Sequence, residues 1–312
     1  MSKQCPESHP GEAGGSVRQT SRLLRLNRSW LGARALTVLC TFAIVVAATA
    51  VTQAGQGQSV SKGLSLPAAA TTRTARPADA GARPSMGSRL MTVVGVGDSV
   101  TSGFNCGCES FVGLYANGLA TQRQQRTSWV NLGVPGLTSA QLLNGLTHPG
   151  TDRDEVAKAD ILLVTIGAND LESLESAQPA DCPAACYNPM VANVGHNVEL
   201  IVKAARAVRP AQPPTVLVTD YWNVFQDGDV GTAERGAAFQ NWSDALTRAQ
   251  STQICRGARR AGAICVSLYA KFKGDGSVNP TSLLAADGDH PNAAGHRVIA
   301  SALLGATPQP PS

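Results

Sequence analysis

Charged residues are scarce in this chain of 312 residues, because Asp, Glu, Lys and Arg together make up only 15% of it. This excludes a wholly disordered acidic or basic polymer, in which charge dominates the composition. The sequence has only one long uncharged apolar run, which excludes a membrane protein with several spans. No segment repeats at a fixed period, which argues against a solenoid. Hydrophobic residues make up 43% of the chain, enough for a sizeable core.

The basic residues are concentrated near the N-terminus. Residues 1–88 hold ten Lys or Arg against three Asp or Glu, a net charge of +7. Residues 89–312 hold sixteen against nineteen, a net charge of −3. A nucleic-acid-binding domain would carry its basic face on the folded part. We therefore expect no nucleic-acid partner.

The N-terminal region predicts export across a membrane. Residues 1–34 form a basic n-region that we expect to be cytoplasmic, followed by an apolar segment at 35–54. Its uncharged core of about 17 residues is at the lower limit for spanning a bilayer. Two hypotheses stay open: a signal peptide cleaved after Ala48-Thr49-Ala50, or an uncleaved membrane anchor. Either would place the remaining chain outside the cytoplasm, secreted or tethered. Residues 55–88, rich in Ala, Gly, Pro and Ser, are predicted to be a disordered spacer.

Five β-rich runs predict the strands of one domain over residues 89–308. Most are apolar at both odd and even positions, as expected for strands buried on both faces of a parallel sheet. Helical periodicity between and after them predicts three long helices, and the alternation predicts one doubly wound α/β domain. The predicted strands are 91–97, 128–132, 161–166, 215–219 and 263–268, and the predicted helices are 191–208, 233–260 and 293–304.

Small and polar residues follow the predicted strands. In a doubly wound sheet the ligand site lies beyond the carboxyl ends of the strands, so these segments should border one crevice. Ser99 lies in a glycine turn after the first strand and could be a nucleophile if a base lies nearby. Asn169 follows the third strand and offers an amide donor of the kind found in oxyanion holes. Gly136 follows the second strand and lets a backbone N–H approach a ligand.

The base candidate lies near the C-terminus. His290 follows Asp287 by three residues, a spacing that lets the carboxylate orient the imidazole through Nδ1. Asp289 is adjacent to His290 and is less well placed to face its ring. Together with His296, these residues match no zinc or EF-hand spacing, so no metal site is predicted.

Together these segments resemble the four motif blocks of the SGNH (GDSL-type) hydrolase family, in the form of a secreted actinobacterial-type esterase. The resemblance covers roughly residues 90–305, with Val100 in place of the usual leucine. It implies a three-layer α/β/α sandwich with a five-stranded parallel sheet, of the flavodoxin-like SGNH hydrolase fold. The matching residues are Gly-Asp-Ser-Val-Thr at 97–101, Asn-x-Gly-Val-x-Gly-x-Thr at 131–138, Gly-x-Asn-Asp at 167–170 and Asp-x-x-His-Pro-Asn at 287–292.

The resemblance also implies a role for each candidate residue. Ser99 would be the nucleophile, His290 its base and Asp287 the partner of the base. The Ser99 N–H, the Gly136 N–H and the Asn169 side chain would form the oxyanion hole. The implied enzyme is an extracytoplasmic, monomeric serine esterase without a cofactor, which acts on an acyl lipid or an acetylated glycan. The alternatives are an acyl or acetyl transferase and an inactive binding module for envelope glycans.

Tyr221 and Trp222 follow the fourth strand and should reach the same crevice. Aromatic side chains there could stack on a sugar or hold an acyl chain, so both are candidate substrate-binding residues. Anchoring of the loop is the alternative role.

Six cysteines follow the apolar segment, an even number that suggests disulfides in an extracytoplasmic protein. Cys182–Cys186 and Cys255–Cys265 are the plausible local pairs. Cys106 and Cys108 could pair with each other or cross to Cys182 and Cys186. A zinc site made by these four cysteines remains an alternative.

Overall fold

Five parallel strands form a single sheet in the computed structural model, which describes residues 89–309. The strand order is β2-β1-β3-β4-β5, so the chain reverses its direction of winding between β1 and β3. Gly97 is in register with both Gly133 and Thr165, which brings the carboxyl ends of three strands to one edge. The strands are β1 (Met91–Gly97), β2 (Thr127–Gly133), β3 (Ile161–Thr165), β4 (Thr215–Thr219) and β5 (Ile264–Val266).

Helices cover the sheet in two groups. The first group packs α2 against α8, and the second packs α5 against both α3 and α6. This is the three-layer α/β/α sandwich that the sequence predicts. The α-helices are α1 (Ser99–Ser102), α2 (Phe111–Arg123), α3 (Ser139–Thr147), α4 (Thr151–Val156), α5 (Ala184–Val208), α6 (Gly228–Arg260), α7 (Leu268–Lys273) and α8 (Ala293–Ala306). Short 3₁₀ helices lie at Ala168–Leu174 and Thr281–Leu283.

The core lies on both faces of the central strands. Val93, Val94 and Val96 in β1 are fully buried, and all of β3 is buried. Side chains of successive strand residues point to opposite faces, so burial at every position requires a helical layer on each side. β2 is an edge strand and is only half-buried, with Trp129 exposed.

Three helices and three strands differ in extent from their predictions, although β2 and β3 do so by only one residue at an end. β5 is shorter than the predicted 263–268, because the Ser267 side chain caps α7 and accepts a hydrogen bond from Ala270 N. α5 and α6 begin earlier than predicted, and α8 ends two residues later. Asp227 caps α6, which contains a kink at Gly236, where φ is +77°.

All six cysteines of the described part form local disulfides. Cys106–Cys108, Cys182–Cys186 and Cys255–Cys265 have Cα–Cα distances of 5.1, 5.1 and 5.2 Å. The crossed pairing and the four-cysteine zinc site are therefore not what the structure shows.

The predicted n-region, the apolar segment 35–54 and the spacer 55–88 lie outside the described residues. Within residues 89–309, no helix combines the length and the apolarity needed to cross a bilayer.

Candidate active site

Ser99 is the first residue of α1 and directly follows the turn at the end of β1. The Asp98 side chain caps this helix and accepts a hydrogen bond from Val100 N at 3.0 Å. Gly97 has a φ of +145°, and a side chain there would collide with the Thr165 carbonyl oxygen of β3. Glycine at this position therefore permits the tight strand-to-helix turn that leaves Ser99 half-buried at the sheet edge.

His290 and Asp287 share the loop that precedes α8, and their side chains are in contact. His290 Nδ1 lies 2.8 Å from Asp287 Oδ2, while Asp287 Oδ1 accepts the backbone N–H groups of Asp289 and His290 at 3.0 Å each. Because Nδ1 donates to a carboxylate, Nε2 of the neutral ring is left to act as a base. Asp289 Oδ2 is 3.6 Å from Nδ1, which is too far for a hydrogen bond.

Asp287 is held in its ionised form. Burial alone would raise its pKa, but hydrogen bonds from the Asn105 side chain, from two backbone N–H groups and from His290 lower the pKa to about 2. A carboxylate that stays negative can stabilise the imidazolium formed when His290 takes a proton.

Asn169 and Gly136 lie on neighbouring loops that are joined by hydrogen bonds. Asn169 Nδ2 donates to Leu137 O at 2.9 Å, which orients the amide and uses only one of its two N–H groups. Gly136 has a φ of +81°, a left-handed conformation that favours glycine, and open space surrounds the position of a Cβ. Asp170 accepts the Ser139 N–H at 2.8 Å, so the loops after β2 and β3 are tied together.

One cavity of about 230 Å³ brings Ser99, Gly136, Asn169 and His290 together. It lies beyond the carboxyl ends of β1 and β3, at the point where the winding reverses, as expected for a doubly wound sheet. The hydrogen bonds of the described residues do not include one between Ser99 and His290. Such contacts are often longer in enzymes without a bound substrate. The acidic residues that line the cavity are Glu172, Glu175 and Asp289.

Tyr221 and Trp222 border this cavity, but each residue is only 1% exposed. The Tyr221 hydroxyl donates to the Asp98 carboxylate, and the Trp222 ring stacks on Phe272 with 4.3 Å between ring centroids. Both residues therefore form the wall of the cavity and offer little ring surface for stacking on a substrate.

Three residues of the site were not singled out from the sequence. Phe104 lines the cavity, is 44% exposed and packs edge-on against His290, with 5.0 Å between ring centroids. Asn105 Nδ2 donates to Asp287 Oδ2 at 2.6 Å. Asp98 is fully buried, and burial raises its pKa to about 7 in spite of the hydrogen bonds that it accepts. Phe104 and Asn105 lie in an irregular loop without a periodic pattern. The one available sequence signal is that asparagine tolerates a left-handed backbone conformation.

Comparison with solved structures shows the same fold in several hydrolases. A lipase from a goat rumen metagenome is 19% identical, with a TM-score of 0.58, 69% of this chain covered and 97% of the lipase. An extracellular lipase from Streptomyces rimosus is 17% identical, with a TM-score of 0.51, and the match covers 70% of this chain and 100% of the lipase. A variant of an acetyl-xylooligosaccharide esterase from Geobacillus stearothermophilus is 17% identical, with a TM-score of 0.50 and coverage of 70% and 94%.

Sequence comparison identifies the family. No curated protein sequence matches this chain significantly. The family model described as GDSL-like Lipase/Acylhydrolase matches residues 96–298, which is more than half of the chain and includes all four motif blocks. The chain therefore belongs to the GDSL-like lipase/acylhydrolase family and is a carboxylic ester hydrolase.

Proposed function

We propose that this protein is an extracytoplasmic serine esterase that hydrolyses short-chain carboxylic esters through an acyl-enzyme on Ser99. The observation that carries the proposal is the His290–Asp287 pair, joined at 2.8 Å, on the same small cavity as Ser99 and two candidate oxyanion donors. Family membership supports the reaction type. The roles of the individual residues are the part that we propose.

The first half of the reaction acylates the serine. Ser99 Oγ attacks the ester carbonyl carbon while His290 Nε2 takes the hydroxyl proton, and Asp287 stabilises the resulting imidazolium. The carbonyl oxygen becomes an oxyanion that accepts hydrogen bonds from Ser99 N–H, Gly136 N–H and the second N–H of Asn169. When the tetrahedral intermediate collapses, His290 returns the proton to the leaving alcohol.

The second half releases the acid. A water molecule gives a proton to His290 and attacks the acyl carbonyl carbon. Collapse of the second tetrahedral intermediate breaks the bond to Ser99 Oγ, which takes the proton back from His290. The enzyme returns to its starting state without a cofactor.

The size and charge of the cavity support a short and uncharged acyl group. At about 230 Å³ the cavity is smaller than the roughly 300–1,000 Å³ of sites for drug-sized ligands. Glu172, Glu175 and Asp289 line it, and their negative potential disfavours anionic substrates. An acetyl or similarly short ester of a neutral alcohol, such as an acetylated glycan, meets both conditions.

The extracytoplasmic location is supported by two features. The basic n-region before residues 35–54 is typical of export, and disulfides persist in oxidising compartments. The pairing of all six described cysteines agrees with such a compartment.

The proposal is tested with p-nitrophenyl esters of increasing acyl length and with a fluorophosphonate that phosphonylates activated serines. We expect the highest kcat/KM for acetate or butyrate and the lowest for palmitate. Ser99→Ala should lower kcat by roughly 10⁴-fold or more and abolish labelling. Ser102→Ala is the matched control, because the Ser102 hydroxyl donates to the Ser99 carbonyl oxygen and does not line the cavity, and this variant should still be labelled.

Two outcomes would contradict the proposal. Ester hydrolysis by Ser99→Ala at the wild-type rate would rule out Ser99 as the nucleophile. Transfer of the acyl group to an added sugar, faster than to water, would make the enzyme a transferase instead of a hydrolase.

A further inference from the structure

The loop between α1 and α2 reaches the histidine–aspartate pair from outside the motif blocks. We call residues 103–108 the Asn105 loop. Asn105 Nδ2 donates to Asp287 Oδ2 at 2.6 Å, and this is the same oxygen that faces His290 Nδ1. Phe104, from the same loop, lies edge-on to the His290 ring. Both residues of the pair therefore contact this one loop.

The donors around Asp287 define the orientation of its carboxylate. Two backbone N–H groups bond to Oδ1, and the His290 ring and the Asn105 amide bond to Oδ2. Without Asn105, only His290 would remain on Oδ2, and the carboxylate could rotate with the ring. Asn105 also stabilises the ionised carboxylate without adding a positive charge that would compete with the imidazolium.

The backbone of the loop holds Asn105 in an uncommon conformation. Its φ is +57°, in the left-handed region that residues other than glycine rarely adopt. The Cys106–Cys108 disulfide follows directly, with a Cα–Cα distance of 5.1 Å. Phe104 N donates to Ser99 O at 3.1 Å, which ties the loop to the helix that carries the proposed nucleophile.

We propose that Asn105 is a positioning residue for Asp287, and that the Cys106–Cys108 disulfide holds the loop that carries it. This inference rests on the proposed function, in which His290 is the base and Asp287 its partner. Asn105 acts through Asp287 and does not touch the reacting atoms. Its loss should therefore lower kcat and leave KM nearly unchanged, because substrate contacts remain intact.

The test compares Asn105→Gly and Asn105→Asp with the control Gln124→Gly. Glycine keeps the left-handed backbone and removes only the donor, whereas aspartate replaces the donor by a second carboxylate. Gln124 is the other non-glycine residue with positive φ in residues 89–309, at +49°, and it is exposed at the end of α2. The control therefore reproduces the backbone change away from the site.

Two measurements are made on the full chain. The first is the dependence of kcat and KM on pH for p-nitrophenyl acetate. The second is the position of the His290 Nδ1–H proton resonance in ¹⁵N-histidine-labelled protein, assigned with His290→Gln, which needs no turnover. Other titratable groups near the pair are Asp98, Asp289, Glu175 and His296. They are the same in all variants, so differences between profiles report on residue 105.

We expect Asn105→Gly to lower kcat by about 10- to 100-fold and to shift the Nδ1–H resonance. Asn105→Asp should lower kcat further and move the acid limb of the profile to higher pH, because added negative charge favours the imidazolium. Gln124→Gly should match the wild type in both measurements. Wild-type kcat and an unmoved resonance in Asn105→Gly would overturn the proposal, as would an equal loss in Gln124→Gly. If the wild type hydrolyses no ester, the proposed function fails while the resonance still decides the role of Asn105.

The disulfide is tested by double substitution. Cys106→Ser/Cys108→Ser should lower kcat in the same way as Asn105→Gly, and combining the three changes should add little, since both act through one contact. Cys255→Ser/Cys265→Ser is the matched control, because this disulfide joins α6 to β5 away from the cavity lining. It should lower the thermal unfolding midpoint but keep kcat and the pH profile. Losses that multiply independently in the triple variant would refute a shared role.

Discussion

Asp98 is a fully buried carboxyl group next to the proposed nucleophile, and its replacement by asparagine has a calculable effect on stability. One carboxylate oxygen accepts Val100 N–H and the other accepts the Tyr221 hydroxyl. Burial, the largest effect, raises the pKa of Asp98 from 3.8 to about 7, against the lowering effect of both hydrogen bonds. Asparagine has the same shape and can still cap α1, so Asp98→Asn mainly removes the titration.

Proton linkage determines whether Asp98 makes the free energy of unfolding rise or fall with pH. Between pH 3.8 and 7 the folded protein keeps a proton on Asp98 that the unfolded chain releases, so unfolding is increasingly favoured as pH rises. The contribution of Asp98 to stability is fully present below the unfolded pKa and is lost as pH rises through the folded pKa. One pKa unit corresponds to about 1.4 kcal/mol, so the loss amounts to about 4 kcal/mol in all.

The assay is urea unfolding of the wild type and of Asp98→Asn between pH 4 and 7.5. The free energy of unfolding of the variant, relative to the wild type, should rise by about 1.4 kcal/mol per pH unit up to pH 7. Asp160→Asn is the control. Hydrogen bonds from Thr92 N and two arginines outweigh burial and lower the pKa of Asp160, so its difference from the wild type should be flat above pH 5. An equally flat difference for Asp98→Asn would show that the buried carboxyl is ionised throughout and would refute the reasoning.

Four further substitutions test the site and the stability of the fold. Asn169→Ala should lower kcat by about 10²–10³-fold in ester hydrolysis with little change in KM, because its donor matters most when the oxyanion forms; a change in KM alone would contradict this role. Asp287→Ala should reduce kcat severely and Asp289→Ala mildly, since of these two carboxylates only that of Asp287 lies within hydrogen-bond distance of His290 Nδ1; the reverse order would exchange their roles. Burial lowers the pKa of His296 from 6.5 to about 4, so neutral His296 contributes stability that is lost as pH falls. Urea unfolding of His296→Gln should lack this loss, about 3 kcal/mol between pH 6.5 and 4, and an identical acid dependence would contradict it.

The central strands are the part of the fold that the sequence predicts best. β1 and β4 begin and end at the predicted residues, because burial on both faces requires apolar residues at every position. β5 has only three residues, and the end of its apolar run belongs to α7. Apolar composition alone cannot separate a strand from the first turn of a buried helix.

Among the helices that the sequence analysis does not predict, α2 and α3 differ in the signal that they carry in the sequence. α2 contains Gly113 and Gly118, which lower its helix propensity, and Gly118 lies against Leu304 of α8. Its buried residues Phe111, Tyr115 and Leu119 recur every four residues, a helical spacing that the two glycines obscure in the sequence. α3, in contrast, carries a visible signal, since Thr138 and Gln141 form a capping box at its start.

The candidate site was only partly predictable. The four motif blocks identify Ser99, Gly136, Asn169 and His290, and the structure places all of them on one cavity. The contact between Asn105 and Asp287 joins residues 182 positions apart, and no local pattern in a sequence relates such residues. The position of Tyr221 and Trp222 after β4 predicts that they reach the cavity, but the sequence does not show that both are buried in the cavity wall.

Three of the four motif blocks combine a residue on the cavity with a residue that bonds to a neighbouring loop or helix. Asp98 bonds to Tyr221 next to Ser99, and Asp170 bonds to Ser139 next to Asn169. Asn131, before Gly136, donates to Thr101 O at 2.8 Å and accepts Gly133 N–H at 2.9 Å. In the proposed mechanism these bonds align the oxyanion donors and the nucleophile before substrate arrives, which is the condition for stabilising an oxyanion without reorganisation. A substitution of a residue on the cavity can therefore remove catalysis while the fold stays intact. A substitution of Asp98, Asp170 or Asn131 should instead affect stability and catalysis together.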